Sequence, residues 1–100
     1  MAQDYAEGVK CYHKAAAQNN ADAQYNLGVC YANGQGVTKD YVEAYKWLSF
    51  ASAQGNENAK AAKSSLTQQM TPEQIAKGFR LVRDFKPSSA PEPGASAPSR

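Results

Sequence analysis

The chain has one histidine, one tryptophan and two cysteines in 100 residues. Cys11 and Cys30 form no CxxC pair, and with His13 and scattered carboxylates they make no metal-ligand cluster, so no metal and no cofactor is expected. An excess of charge of one sign is also missing. Eleven Lys and Arg stand against nine Asp and Glu, for a net charge of +2. The positive charges alternate with Glu and Asp instead of forming a stripe, which argues against nucleic acid as a partner. No apolar run approaches the roughly 20 residues of a membrane-spanning helix, so no membrane insertion is expected. Met1-Ala2-Gln3-Asp4 leads directly into helical pattern with no visible signal peptide. That fits a cytoplasmic protein if Met1 is the native start, and a periplasmic or secreted one if a leader has been removed.

Proline is scarce until the end. Four of the five prolines fall in KPSSAPEPGASAPSR, which starts at Lys86. With no apolar stripe to offset ordering entropy, residues 87–100 read as a disordered Pro/Ser/Ala-rich tail. One domain then remains, roughly 85 residues long with a small core.

Within that domain, Ala23, Leu27, Gly28 and Tyr31 share one helical face. Gly28 inside a helix costs about 1 kcal/mol against alanine, and close approach of another backbone is the expected compensation. Asn33-Gly34-Gln35-Gly36 ends this helix, with glycines free to take positive φ, and Val37 is an apolar anchor in a polar loop. The next helix starts at Asp40, with Glu43 at capping-box spacing. Its expected buried stripe is Tyr41, Ala44, Trp47, Leu48 and Ala51.

An internal repeat frames this helix pair. Residues 4–20 align with 40–56, thirty-six positions on. Asp4/Asp40, Tyr5/Tyr41, Glu7/Glu43, Lys10/Lys46, Ala15/Ala51, Ala17/Ala53, Gln18/Gln54 and Asn20/Asn56 are identical, and Ala23/Ala59 extends the match. Such a period belongs to helix-turn-helix solenoids. The segment LGVCYANGQGVTKDYVEAYKWLSFASAQGN closely resembles the Sel-one-like repeat, a relative of the tetratricopeptide repeat. The residues that carry the likeness are Ala23, Leu27, Gly28, Tyr31, Gly34, Gly36, Val37, Asp40, Ala44, Trp47 and Ala51, with Gly55 one place out of step. The resemblance implies an all-α, right-handed superhelix that binds other proteins, often as an adaptor. Some secreted members of that family join their helices by disulfides, but their paired-cysteine spacing is absent here.

The expected organisation is a solenoid over residues 1–86 with about five helices. It comprises a half repeat (3–18), a full repeat (20–54), a degenerate half repeat (56–69) and a capping helix (71–85). In the degenerate part Leu27-Gly28 becomes Lys63-Ser64 and Tyr31 becomes Thr67. Thr71-Pro72-Glu73-Gln74 is a complete helix start, and Ile75 and Phe79 are expected to cover the last repeat.

Catalysis finds little support. Cys11 and His13 are the one nucleophile–base couple close in sequence, but two helical positions turn them about 200° apart. His13 is therefore read as a solvated residue, and Cys11 and Cys30 as small buried hydrophobes. Gly34-Gln35-Gly36 follows a helix and so is no nucleotide fingerprint.

The favoured function is a non-catalytic protein-binding scaffold or adaptor. A regulatory or assembly domain of a larger enzyme or membrane-associated protein is the alternative, and a cysteine-dependent hydrolase or redox activity is disfavoured. First-type helices line the concave side of such arrays, so Asp22, Tyr25, Asn26 and Val29, with Asn58, Ala62 and Ser65, are the expected partner-binding residues. A second expected surface is the edge of the first helix, where Tyr5, Val9 and Tyr12 lack a preceding repeat and invite a homodimer.

Overall fold

The computed structural model describes residues 5–84. Five helices follow one another: α1 (Tyr5–Ala17), α2 (Ala21–Asn33), α3 (Tyr41–Ala53), α4 (Glu57–Thr67) and α5 (Pro72–Asp84). Among the described residues there is no strand. This is an all-α helical repeat solenoid, with the number of helices the sequence implies. The expected tail, residues 87–100, and Asp4 lie outside the described residues.

The helix ends repeat as faithfully as the sequence does. Asn19 takes positive φ after α1, with Asn20 N–H donating to Ala15 O at 3.1 Å. Thirty-six residues on, Gly55 takes positive φ after α3, and Asn56 N–H donates to Ala51 O, also at 3.1 Å. Asn20 and Asn56 then cap α2 and α4 by accepting from Ala23 N (2.9 Å) and Ala59 N (2.8 Å). Each side-chain oxygen satisfies one of the orphan donors at a helix start.

Asp40 caps α3 by accepting from Val42 N and Glu43 N. Glu43 does not complete the box expected from its spacing. The Asp40 N–H instead donates to Tyr31 O at 2.9 Å, and Glu43 pairs with Lys46 at 3.1 Å. At α5 the box is reciprocal. Thr71 N donates to Gln74 Oε1 (2.9 Å), and Gln74 N donates to Thr71 Oγ1 (3.1 Å).

The hairpin of α2 and α3 is the densest packing in the molecule. Gly28 is buried at its seam, where an added Cβ would meet Leu48 Cγ at 2.7 Å and Ala44 O at 3.3 Å. Glycine is needed here for proximity, not for an unusual φ. Helix α3 sits against α2, α4 and α5, and this central position makes its burial wider than one stripe. Ala44, Trp47, Leu48 and Ala51 are buried, but so are Tyr45, Lys46 and Ser49. Lys46 is accommodated because its ammonium pairs with Glu43 and lies 4.5 Å from the Trp47 ring centroid.

Two apolar clusters result. One joins Val9, Ala16, Ala23, Leu27, Cys30 and Trp47. The other joins Ala44, Tyr45, Leu48, Ala51, Ala59, Leu66 and Met70, with Ile75 and Val82 packed against it.

Further expectations need correction. Val9 is buried and Tyr12 packs inward on the first cluster, so of the expected open row Tyr5 alone is exposed. The rest of the exposed surface of α1 is Ala6, Glu7, Lys10, Cys11 and Lys14. Of the apolar surface on which the expected homodimer rested, Tyr5 and part of Tyr12 remain. Cys11 is exposed although its equivalent Trp47 is buried, because Trp47 packs back onto α1 and α2 and nothing described here lies behind α1. Phe79 is 62 % exposed. The close contact of α5 is made by Gly78, whose added Cβ would lie 2.6 Å from Tyr45 Cδ1, and that approach turns Phe79 outward.

His13 also departs from expectation, since it is half-buried between helices. Its Nε2 shares a hydrogen bond with the Tyr31 hydroxyl at 3.1 Å, and its ring meets the Trp47 ring edge-on with centroids 5.9 Å apart. Desolvation pushes its pKa below the ordinary 6.5, the Lys46 charge lowers it further, and Glu43 acts the other way. Tyr31 faces it from α2, and Lys46 and Glu43 from α3.

Two outcomes are expected. Gly28→Val should lower stability to urea by about 2–3 kcal/mol, since the branched side chain overfills the Leu48 contact. An unchanged urea midpoint would contradict the seam. The folded pKa of His13 lies below its unfolded value, so its contribution is present above 6.5 and is lost as pH falls through the folded pKa. Between about pH 7.5 and about pH 5.5 the urea midpoint should fall in the parent chain and change less in His13→Gln, which keeps a hydrogen-bonding side chain and does not titrate.

Candidate protein-binding surface

Helices α2 and α4 both lean on α3 and touch each other only slightly. Between them runs a groove of ≈ 410 Å³. Its α2 wall is Val29, Ala32 and Asn33, and its α4 wall is Ala62, Ser65, Leu66 and, just beyond the helix, Gln69. Leu48 of α3 contributes from below, and Lys39 and Tyr41 close the end nearest the α2–α3 loop. The groove exists because Ala32, Ala62 and Ser65 are too short to bridge the two helices.

The sequence-based partner residues divide into two groups. Val29, Ala62 and Ser65 line the groove together. Asp22, Tyr25, Asn26 and Asn58 are not part of its lining. Asp22 accepts from Asn56 Nδ2 at 3.4 Å, which ties the starts of α2 and α4. Tyr25, an expected partner-binding residue, is half-buried against the second cluster, because α4 folds beside it. Asn26 is half-buried and Asn58 exposed.

Repeat-motif residues hold the groove's frame. Ala23, Leu27, Gly28, Ala44, Trp47 and Ala51 are buried, with Tyr31 and Val37 packed against the clusters. Gly34 takes φ 72° at the end of α2, and its N–H donates to Cys30 O. Gly36 takes φ 77°, and an added Cβ there would meet Tyr5 O at 2.5 Å, so the loop rests on the start of α1.

Several residues of consequence carried no recognisable signal. Gln24 is fully buried and donates to Ala16 O (3.1 Å) and Asn19 Oδ1 (3.3 Å). Gln54 donates to Gln24 Oε1 at 2.9 Å and to Asn19 Oδ1 at 3.1 Å. This amide network clamps the end of α1 to α2 and α3, and burial of Gln24 makes its bond to Ala16 O costly to leave unmade. The identity of Gln18 and Gln54 across the repeat was visible, but the role was not. Lys39, Tyr41 and Gln69 were not singled out for binding either, since two lie at or near a loop and one follows a degenerate helix.

The groups that catalysis would need stay apart. Cys11 is exposed, while His13 is engaged by Tyr31 and Trp47. Burial raises the Cys30 thiol pKa, which disfavours the thiolate. Burial raises that of Tyr31 too, with the Glu43 and Asp40 charges adding to it. Both cysteines are free thiols. Among the described residues no three His, Cys, Asp or Glu gather as a metal site, and no helix is long and apolar enough to cross a membrane.

Comparison with known proteins agrees with this architecture. Two curated relatives, from Rattus norvegicus and Mus musculus, are both named DAP3-binding cell death enhancer 1, and each is 35% identical over 57 residues. That match takes in 57% of this chain and 11% of each relative's length. The family model of the Sel1 repeat matches residues 1–20 and 21–56, the second stretch enclosing the whole α2–α3 hairpin. The chain belongs to the Sel1 repeat family, whose repeats are in general non-catalytic modules for protein–protein interaction.

Proposed function

We propose that this chain is a non-catalytic adaptor that holds a partner protein along the α2–α4 groove. The observation that carries this reading is the groove itself. Its floor and walls are apolar at Val29, Ala32, Leu48, Ala62 and Leu66, while Asn33, Lys39, Tyr41, Ser65 and Gln69 give it a polar rim. Apolar lining with a few placed polar groups is the usual make-up of a recognition site, and ≈ 410 Å³ suits a few side chains of a partner. The curated relatives are named for binding another protein, which supports the class of function and not the identity of a partner.

The second reading, an assembly or regulatory domain of a larger protein, draws on one observation. In the relatives the matched stretch is 11% of the length, so there a helical unit of this kind serves within a much longer chain. The two readings share the groove and differ in what flanks it.

A photo-reactive residue placed at Gln69 should cross-link a protein in extract of the native host, and one at Gln18, exposed just after α1, should not. Ser65→Arg, at an exposed position, should cut the Gln69 adduct by about tenfold while leaving the helical circular dichroism unchanged. Equal adducts from both positions, or an adduct indifferent to Ser65→Arg, would refute the groove as the binding surface.

A further inference from the structure

We infer that the groove recognises an aliphatic side chain carried next to a carboxylate, with Lys39 as the counter-charge. The inference rests on the groove being the binding surface and adds the chemistry of what enters it.

The polar groups of the groove are not scattered evenly. Lys39, Tyr41, Asn33 and Gln69 belong to one end, where α2 finishes, α3 begins and α4 has just ended. Lys39 is the one charged residue in the lining, and no carboxylate shares it. The nearest acid in sequence, Asp40, is committed elsewhere, since its Oδ1 accepts from Val42 N and Glu43 N at the start of α3.

Lys39 is also held in place. A Cβ added to Gly34 would come within 3.3 Å of the Lys39 Cβ, so the root of the lysine side chain lies against the left-handed turn that ends α2. Its Nζ sits 5.1 Å from the centroid of the Tyr41 ring. The Tyr41 hydroxyl in turn donates to Gln69 Oε1 at 3.2 Å, which leaves the Gln69 amide nitrogen with both of its hydrogens to offer. One ammonium and two side-chain amides, from Asn33 and Gln69, therefore supply donors at this end, while the half-buried Val29, Ala32 and Ala62 supply apolar contact beside them. Donors with one positive charge beside an aliphatic floor complement a carboxylate attached to a branched aliphatic group. In a protein partner that is a leucine- or valine-type residue with its own terminal carboxylate.

The test titrates the ¹⁵N-labelled full chain with N-acetyl-leucine and, separately, with N-acetyl-leucinamide, which keeps the side chain and removes the charge. The acid should shift the amides of Val29, Asn33, Ser65 and Gln69 and bind more tightly than the amide. Lys39→Gln should weaken the acid by about threefold and leave the amide unchanged. Equal binding of acid and amide, no binding of either, or shifts confined to other helices would overturn the inference. The cross-link at Gln69 reports separately on the groove as a protein site. A groove that cross-links a partner but does not prefer the acid loses the carboxylate alone, whereas a groove that fails to cross-link loses the reading on which this inference stands.

Discussion

Everything in this molecule hangs on the contact between Gly28 and the Ala44–Leu48 ridge. A helix gives up about 1 kcal/mol to carry a glycine in its interior. What it gains is a backbone approach close enough for Leu48 to be 1 % exposed and Ala44 0 %, and full burial of one leucine is worth about 1.5–3 kcal/mol. The gain exceeds the cost, so α2 and α3 form a rigid hairpin. With α3 fixed in that way, its remaining faces become platforms. Trp47 reaches back to α1, Tyr45 reaches out to α5, and Ala51 meets α4's cluster.

The two ends of the hairpin show what happens with and without that device. On the α1 side the repeat is intact, and the joint is filled by Trp47, His13, Tyr31 and the Gln24–Gln54 amides. Thirty-six residues on, the matching positions on α4 read Lys60 for Gln24, Lys63 for Leu27, Ser64 for Gly28 and Thr67 for Tyr31. Neither a glycine notch nor a buried amide is present there, and α5 does not form a close hairpin with α4. It crosses α3 instead, and it does so through a notch of its own, Gly78 against Tyr45. The same physical solution, a missing Cβ admitting a large neighbour, serves once to build the repeat and once to end it.

Much of the architecture could be read from residue types, because local chemistry dictates it. Thr71-Pro72 and Asp40 mark helix starts through orphan N–H groups that any helix must satisfy, and Gly34 marks an end through its φ. The misread residues share one cause, which is tertiary choice between faces that look alike in sequence. Phe79 and Gly78 are adjacent on α5, and a period count prefers the phenylalanine as the buried one. The close approach to Tyr45 selects the glycine. Cys11 and Trp47 occupy equivalent places, yet only one has a neighbour to its rear. Three of the ten residues that line the groove, Val29, Ala62 and Ser65, were legible because they follow from helix phase alone. Lys39, Tyr41 and Gln69 were not, because a loop and a helix end brought them together across thirty residues of chain.

That last distinction explains why the polar end of the groove lies where it does. A solenoid built from close-packed hairpins has little freedom within its helices, since each core position is tied to Gly28 or its neighbours. Freedom remains where helices end, and there the repeat pattern asks only for a turn. Gly34 supplies the turn, Tyr31 O pins the far side of the loop through Asp40 N, and the short span between them presents Lys39 at the mouth of the groove. Changing Lys39 alters the charge of the mouth without touching the seam that sets the fold. In this arrangement specificity can vary on a frame that does not, and the repeat motif accounts for the frame alone.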